Sequence, residues 1–481
     1  MKEVSKNIFW LTISRAISLV FLFLAYTRLL SYLGPFGAGQ YQFVLSYVMI
    51  FSTVVDFGVL QFITKKMSED DANTKKYFQN FLVFEAVVAF FLYGLLLSVA
   101  YFKHYDTVVF NAVLVTGLGM VVNALCYPFL AVMTAKQDIK KVALINFVNS
   151  LVNIGIIFLA VWQKKYIVFL ASVQFVFGLI DLILYRVFIV KHLPKPEIFK
   201  SFSNFNFTVI LNIFKLAWPF ALLVGFSAIY NRIDVIIITK FLGFAQTGLY
   251  TAAYKFFDLL NFFPASVSHV LFPIFAALMA KNLITDVKLT LEKYIKLMTA
   301  LALPIGVGGM VLSKQLIMLM TKNDFRFLPS ADVLSILIWA VVILFIYIPL
   351  NSLVISQLTK KAMVITGANV LINIIGNIIF IPILGIKAAA IMTVVSEALQ
   401  GIFYFYFVQK YVTNFKFCSI FWKPALGSLV MGIVIWQVRD LNLLLSAAIG
   451  IATYTSVLVF LRFIKKEDFI FVKKLLIPTH V

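Results

Sequence analysis

The chain has 481 residues, 62% hydrophobic and only 13% charged, with a formal net charge of +21. Soluble globular proteins are about half apolar and about a quarter charged, so this balance excludes that class and marks an integral membrane protein. The basic residues sit in short clusters between apolar runs, with no separate basic domain, which argues against a nucleic-acid-binding module.

Taken from the N-terminus, Lys2 and Lys6 precede an apolar run that continues to about Leu30. The run includes Arg15 and lacks a small-residue cleavage site, so it reads as a first transmembrane helix rather than a signal peptide. About 20 apolar residues cross a bilayer as a helix. On that ruler, spans are predicted at 8–30, 40–63, 79–102, 108–134, 142–162 and 166–190. A polar stretch, 191–211, carries Pro194, Pro196 and several lysines and reads as a cytoplasmic linker. Six more spans follow at 212–240, 247–280, 294–312, 331–357, 362–382 and 388–409, then two at 420–437 and 441–463. The expected organisation is therefore an N-lobe over 1–190, the linker, a C-lobe over 212–410, and a C-terminal part over 411–481 with two extra helices and a tail. This is an all-α membrane protein of roughly fourteen transmembrane helices. Placing both termini in the cytoplasm puts most Lys and Arg of the connections inside, as the positive-inside rule demands. Lys164-Lys165 and the loop from Lys314 to Arg326 run against that bias.

The two six-span halves repeat each other. Asn7-Ile8-Phe9-Trp10-Leu11 recurs as Asn212-Ile213-Phe214-Lys215-Leu216. Leu33-Gly34 with Gly39 and Tyr41 recurs as Leu242-Gly243 with Gly248 and Tyr250. Lys140-Lys141 with Asn149, Leu151 and Asn153 recurs as Lys360-Lys361 with Asn369, Leu371 and Asn373. An even number of spans per unit gives both units the same orientation, so the repeats are parallel, and such transporters bind substrate at the interface of their halves.

Ionisable groups at membrane depth are costly and mark substrate or ion routes. Arg232 and Asp234 lie within one span, Lys255 and Asp258 within the next. Tyr250, Tyr254, Asp258 and Asn261 recur at helical spacing along one face, which is expected to line a central cavity. Arg232 and Asp234 are badly placed to pair directly, whereas Lys255 and Asp258 sit at a good angle for a structural ion pair. Arg15 and Arg28 lie about 20 Å apart along a helix axis, too far to hold one phosphate without a kink. Arg28 also fits a snorkelling position at the outer interface. The acids Asp56, Glu85, Asp181, Asp234, Asp258 and Glu397 are candidates for ion coupling, with H+ or Na+ as the ion, or for counter-ions. The asparagines Asn149, Asn153, Asn369 and Asn373 are adequately explained by interhelical hydrogen bonds. Cys126 and Cys418, and His104, His192, His269 and His480, are too scattered for a disulfide framework or a metal site, and no cofactor is expected.

Three groups of residues carry a resemblance. The first is Leu33-Gly34-Pro35-Phe36-Gly37-Ala38-Gly39-Gln40-Tyr41 with Asp56-Phe57-Gly58. The second is Asp234, Leu242-Gly243, Gly248, Tyr250, Ala253, Lys255 and Phe272-Pro273. The third is Asn369, Asn373, Pro382, then Gly385-Ile386-Lys387-Ala388-Ala389-Ala390-Ile391-Met392-Thr393 and Glu397, with Ala388 where glycine is frequent. Together they make the chain resemble the polysaccharide-transporter flippases of the multidrug/oligosaccharidyl-lipid/polysaccharide exporter superfamily, along its whole length.

The resemblance implies a V of two six-helix lobes around a central cavity, alternating access, a monomer, and a polyprenyl-diphosphate-linked oligosaccharide as cargo. The location implied is a bacterial cytoplasmic membrane, and the pathway O-antigen, capsule or exopolysaccharide assembly, with a polymerase or export complex as a candidate partner. A diphosphate crossing a low-dielectric core needs cations, and arginine holds phosphate oxygens bidentately. Arg15, Arg28, Arg232 and Lys255 are the cations available within spans, while Tyr230, Asn231, Tyr250, Tyr254 and Asn261 suit the sugar. A cation-coupled multidrug exporter of the same fold is the competing reading, and a lipid II flippase would tend to carry more cavity arginines. A membrane-embedded glycosyltransferase or polymerase would need catalytic groups on sizeable loops; no nucleotide motif or paired loop carboxylates are present, so an enzyme is not expected.

Overall fold

A computed structural model describes residues 2–56, 58–193 and 225–463, with 205, 206, 208, 211, 218 and 222; the side chains of 2–20, 22 and 71 lie outside that description. Every regular element among the described residues is a helix. Among the described residues, eleven helices are long and apolar enough to cross a membrane. Hydrocarbon offers no partner to a backbone N–H or C=O, and a helix pairs them within its own segment. The chain divides into two compact units, Met1–Gly248 and Leu249–Val481.

The first unit holds α1 (Lys2–Asp56), α2 (Val59–Glu69), α3 (Thr74–Phe102), α4 (Thr107–Ala135), α5 (Ile139–Trp162), α6 (Ile167–Ile189) and the start of α7 (Ile233–Ala280). α1 is two helical arms joined at Gly34, with φ 64° and ψ 179°. α7 is built the same way, with Gly243 at φ 80° and ψ 178°. That conformation is essentially restricted to glycine. The repeated Leu-Gly pair is thus a repeated backbone bend that joins two spans with no intervening loop. Beyond it, Gly39 and Gly248 pack against each other's bends. A Cβ on Gly39 would lie 2.7 Å from the Phe244 carbonyl carbon and 2.9 Å from Gly248 N, and one on Gly248 would lie 2.7 Å from the Pro35 carbonyl carbon and 3.0 Å from Gly39 N.

Elsewhere in this unit small residues let helices approach. On α4, Thr116 Oγ1 donates to the Ala171 carbonyl at 3.4 Å, and Asn123 Nδ2 to the Gln174 carbonyl of α6 at 3.2 Å. Gly119 and Gly178 fill the intervening contacts, as expected where backbone proximity rather than water drives association. A second cluster around Ile63, Phe78, Phe81, Phe129 and Tyr185 closes the other end of the bundle. Outside the spans, Asp138 at the start of α5 lies 2.6 Å from His192 Nε2 and 2.9 Å from Lys141 Nζ. Partial burial opposes its ionisation, but these two hydrogen bonds prevail and hold its carboxyl below the usual range.

The second unit continues with α8 (Ile284–Val311), α9 (Ser313–Met320), α10 (Ser330–Leu384), α11 (Ile386–Tyr411), α12 (Phe417–Gln437) and α13 (Leu443–Phe460). α8 starts well before the expected 294, because its first turns carry Lys288, Glu292 and Lys293, helical residues that an apolar ruler passes over. The expected spans 331–357 and 362–382 form one run, interrupted at Leu358 with φ −132° and ψ 47°. α10 and α11 are joined by side-chain amides: Asn369 Nδ2 donates to Gln400 Oε1 at 2.7 Å, and Asn373 Nδ2 to Ser396 Oγ at 3.1 Å. In the first unit Asn149 Nδ2 likewise donates to Asp181 Oδ1 at 2.7 Å, while Asn153 Oδ1 is buried without a partner. The C-terminal pair packs on α8: Tyr454 Oη donates to the Ala300 carbonyl at 2.7 Å, and Gly432 faces Val307 at 2.6 Å from a built Cβ. The stretch that would complete the seventh span, and the tail beyond 463, lie outside the described residues, so the expected count of fourteen remains an expectation.

Candidate functional site

The span expected at 212–240 does not run as one helix. Residues 225–230 are helical, Asn231 and Arg232 form a turn, and α7 starts at Ile233. Asn231 Nδ2 donates to the Ser227 carbonyl at 2.8 Å, and Arg232 N to the Ile229 carbonyl at 3.1 Å. A side-chain amide that bonds its own backbone offers the chain an alternative to the helical ladder. The consequence is a helix start inside an apolar span, with the positive dipole end of α7 beside Arg232. Tyr230, Asn231 and Arg232 are all half-buried, and Asp234 in the first turn is 2% exposed. Irregular backbone at this depth occurs where it lines a cavity or is covered by protein.

A second break lies in the span expected at 40–63. α1 ends at Asp56, Gly58 has φ 74°, and α2 begins at Val59. Asp56 Oδ1 accepts from Leu60 N at 2.9 Å and so caps the new helix. Glu85 of α3 is fully buried, and neither of its carboxylate oxygens has a hydrogen-bond partner. Asp181 accepts a 2.7 Å hydrogen bond from Asn149 Nδ2.

In the second unit the face of α7 is graded. Tyr250 is fully buried and Tyr254 5% exposed, their rings 5.6 Å apart, whereas Asp258 and Asn261 are half-exposed. Lys255 Nζ lies 3.4 Å from Asp258 Oδ2, the ion pair expected from their spacing. Glu397, 2% exposed, accepts a 2.6 Å hydrogen bond from the Tyr347 hydroxyl. Arg28 is exposed on the first arm of α1, and the Arg15 side chain lies outside the described residues. No group of three or more His, Cys, Asp or Glu positioned to hold a metal ion occurs among the described residues.

Sequence reasoning missed three features: the turn at Asn231–Arg232, the cap at Asp56, and Tyr347 as the partner of Glu397. The Asp56-Phe57-Gly58 triplet carried a usable signal, since an acid two residues before glycine suits a helix stop followed by a cap. No glycine or proline flanks Arg232, where Asn231 and Asp234 are the nearest residues of weak helix propensity.

A family model described as polysaccharide biosynthesis protein matches residues 4–279, and one described as MatE matches residues 219–379. The probable low-salt glycan biosynthesis flippase Agl15 of Haloferax volcanii is 25% identical over 267 residues, 54% of this chain and 53% of the relative. The chain thus spans about half the length of that curated relative. A structure of the lipid II flippase MurJ in an inward closed conformation superposes with a TM-score of 0.77 at 17% identity, covering 94% of this chain and 98% of that one. An inward-facing multidrug resistance MATE family transporter of the MOP superfamily gives 0.68 at 14% identity, over 84% and 98%. At such identities the likeness is one of fold. With a match over 4–279, more than half its length, this multi-pass membrane chain belongs to the polysaccharide biosynthesis protein family.

Proposed function

We propose that the chain flips a polyprenyl-diphosphate-linked oligosaccharide from the inner to the outer leaflet of a bacterial cytoplasmic membrane, by alternating access of two lobes. The observation that carries this is the interrupted helix at Asn231–Arg232. A helix start within an apolar span and the adjacent arginine bring a favourable dipole and a guanidinium together, a combination that suits a diphosphate away from water. Half-exposed Asp258 and Asn261, with Tyr230 and Asn231, offer hydroxyl, amide and carboxylate groups to the sugar. Arg15, Arg28 and Lys255 are further cations along the route, Lys255 being tempered by its pairing with Asp258. Both termini face the cytoplasm, the chain works as a monomer, and a polysaccharide polymerase or export complex takes the product for O-antigen, capsule or exopolysaccharide assembly.

The reading as a cation-coupled exporter of small molecules has one observation in its favour, the MatE match over 219–379. It gives Arg232 no task, since a cationic drug is repelled there.

The test is complementation of a mutant blocked in surface-glycan export, with equal protein levels confirmed. Wild type clears the lipid-linked oligosaccharide that accumulates inside, Arg232→Ala fails, and Arg232→Lys restores part of the clearance, because a point charge replaces the bidentate fork. Full clearance by Arg232→Ala removes the diphosphate site from this turn.

A further inference from the structure

In the second unit, two lysines meet at one end of the α10–α11 pair. The break at Leu358 divides α10 into two spans, and Lys361 stands just past it. Its Nζ lies 3.6 Å from the centre of the Tyr411 ring and 5.2 Å from that of Phe407. Lys410, exposed in the last turn of α11, donates to the Tyr406 hydroxyl at 3.0 Å and lies 5.4 Å from the same Tyr411 ring. Phe407 and Tyr411 stack at 5.6 Å with their planes 19° apart. Ring faces attract cations, so this aromatic turn gathers ammonium groups from two helices. The bland reading of a lysine at a span end is that it extends into water. Lys361 is instead half-buried and laid over two rings.

Neither lysine pairs with a carboxylate among the described residues. The sequence gives the reason: 333–396 and 398–439 contain no Asp or Glu. Glu397, between those stretches, lies about 20 Å along α11 from Lys410. Two ammonium groups held close repel each other, and an anion between them relieves the repulsion. The surroundings select which anion. Along α11, Lys410 heads an exposed stripe of Tyr406, Phe403 and Ile402; along α10, Lys361 heads one of Val364 and Leu371. A soluble anion gains nothing from apolar stripes. A phospholipid sets its phosphate at the lysines and its chains along the stripes. The distribution of Lys and Arg assigns this end to the cytoplasm, whose leaflet is rich in anionic lipid. We propose that Lys361 and Lys410, ordered by Tyr406, Phe407 and Tyr411, bind the phosphate of an anionic phospholipid as a resident lipid. An ammonium offers three donors and holds a phosphate as a point charge. The site is independent of which cargo the chain moves.

The experiment is native mass spectrometry of the full-length protein in detergent, titrated separately with phosphatidylglycerol and phosphatidylcholine. It reads the ratio of the two affinities for the first bound lipid. Each lysine at the membrane surface favours an anionic lipid by about fivefold, so two give a preference of about 25-fold. Lys361→Gln/Lys410→Gln should bring the two affinities level. Tyr411→Leu removes no charge and should still cut the preference severalfold, because the ammonium groups are no longer held together. Lys140→Gln/Lys191→Gln takes the same charge from exposed positions of the first unit and should keep the preference. A preference unchanged in the Lys361/Lys410 variant or in Tyr411→Leu, or an equal loss in the Lys140/Lys191 variant, overturns the proposal. If the Lys361/Lys410 variant is not monodisperse, the exposed Lys410→Gln alone should lose about fivefold, and no loss overturns it. Displacement of the lipid by millimolar inorganic phosphate overturns the phospholipid in favour of a free anion. A polyprenyl diphosphate that binds there more tightly than phosphatidylglycerol overturns it in favour of a cargo entrance. Since no transport is measured, a wild type that fails to flip its cargo leaves this result intact.

Discussion

The contact between Gly39 and Gly248 gives a sharp test of the packing. Each glycine presses on the backbone of the opposite Leu-Gly bend, so the atoms that a new methyl group would strike are carbonyls and amides, which cannot rotate aside. At built distances of 2.7 Å and 2.9 Å for Gly39→Ala, against about 3.5–4.0 Å for an unstrained carbon contact, the helices must separate by about 1 Å. Overpacking of this kind costs about 1–3 kcal/mol. Alanine recovers only about 0.5–1 kcal/mol from helix propensity, leaving a net loss. Gly94→Ala and Gly155→Ala are the controls: nothing lies within 4 Å of either built Cβ, so both should be neutral or slightly stabilised. The assay is thermal unfolding of the detergent-solubilised chain, with Gly39→Ala, Gly248→Ala and the double variant compared with the controls. Both single variants lose stability, and the double variant loses less than the sum, because one separation relieves both clashes. If Gly39→Ala unfolds at the same temperature as Gly94→Ala, the reciprocal packing of the two bends is wrong.

Three further outcomes follow from other parts of the molecule. Gly243→Ala should destabilise by about 1–3 kcal/mol through backbone strain alone, since φ is 80° and no atom lies near its built Cβ; unchanged unfolding would contradict the bend. Tyr347→Phe removes the 2.6 Å donor to buried Glu397 and should cost about 1–3 kcal/mol, measured by thermal unfolding, with Tyr404→Phe as a comparison at a neighbouring ring. Asp138 is held below the usual carboxylate range, so the stability it contributes is present above about pH 4 and lost as pH falls through its lower folded value. Amide protection factors at the α4–α5 connection, taken relative to the intrinsic exchange rate at each pH, should therefore fall on acidification in wild type, and Asp138→Asn should show the low protection at every pH.

Much of the architecture was legible because hydrocarbon imposes a simple rule on sequence. Apolar length located α3 through α6 to within a few residues, and the repeated Leu33-Gly34 and Leu242-Gly243 pairs mark both bends, although connections between separate spans were expected there. What the pattern could not convey was where a span breaks. Asn231–Arg232 and Asp56–Gly58 each sit inside an apolar run, and the average over some twenty residues hides a turn two residues long. The buried polar contacts divided along similar lines. Lys255 and Asp258 are three residues apart on one helix, so their pairing could be read directly. The partner of Glu397 is Tyr347 on another helix, and no local spacing specifies that. The long polar start of α8 failed the apolar ruler because its charged residues are helical yet lie in the outer turns.

The most direct measurement is flipping itself, in proteoliposomes containing the purified chain and a labelled synthetic polyprenyl-diphosphate disaccharide. A membrane-impermeant oxidant attacks sugars exposed on the outside. In protein-free vesicles only the outer-leaflet fraction reacts; with wild type the whole pool should become reactive, and with Arg232→Ala the reaction should stop near the outer-leaflet fraction. A wild type that leaves the inner pool untouched, while moving a cationic dye across the same membrane, would contradict the account.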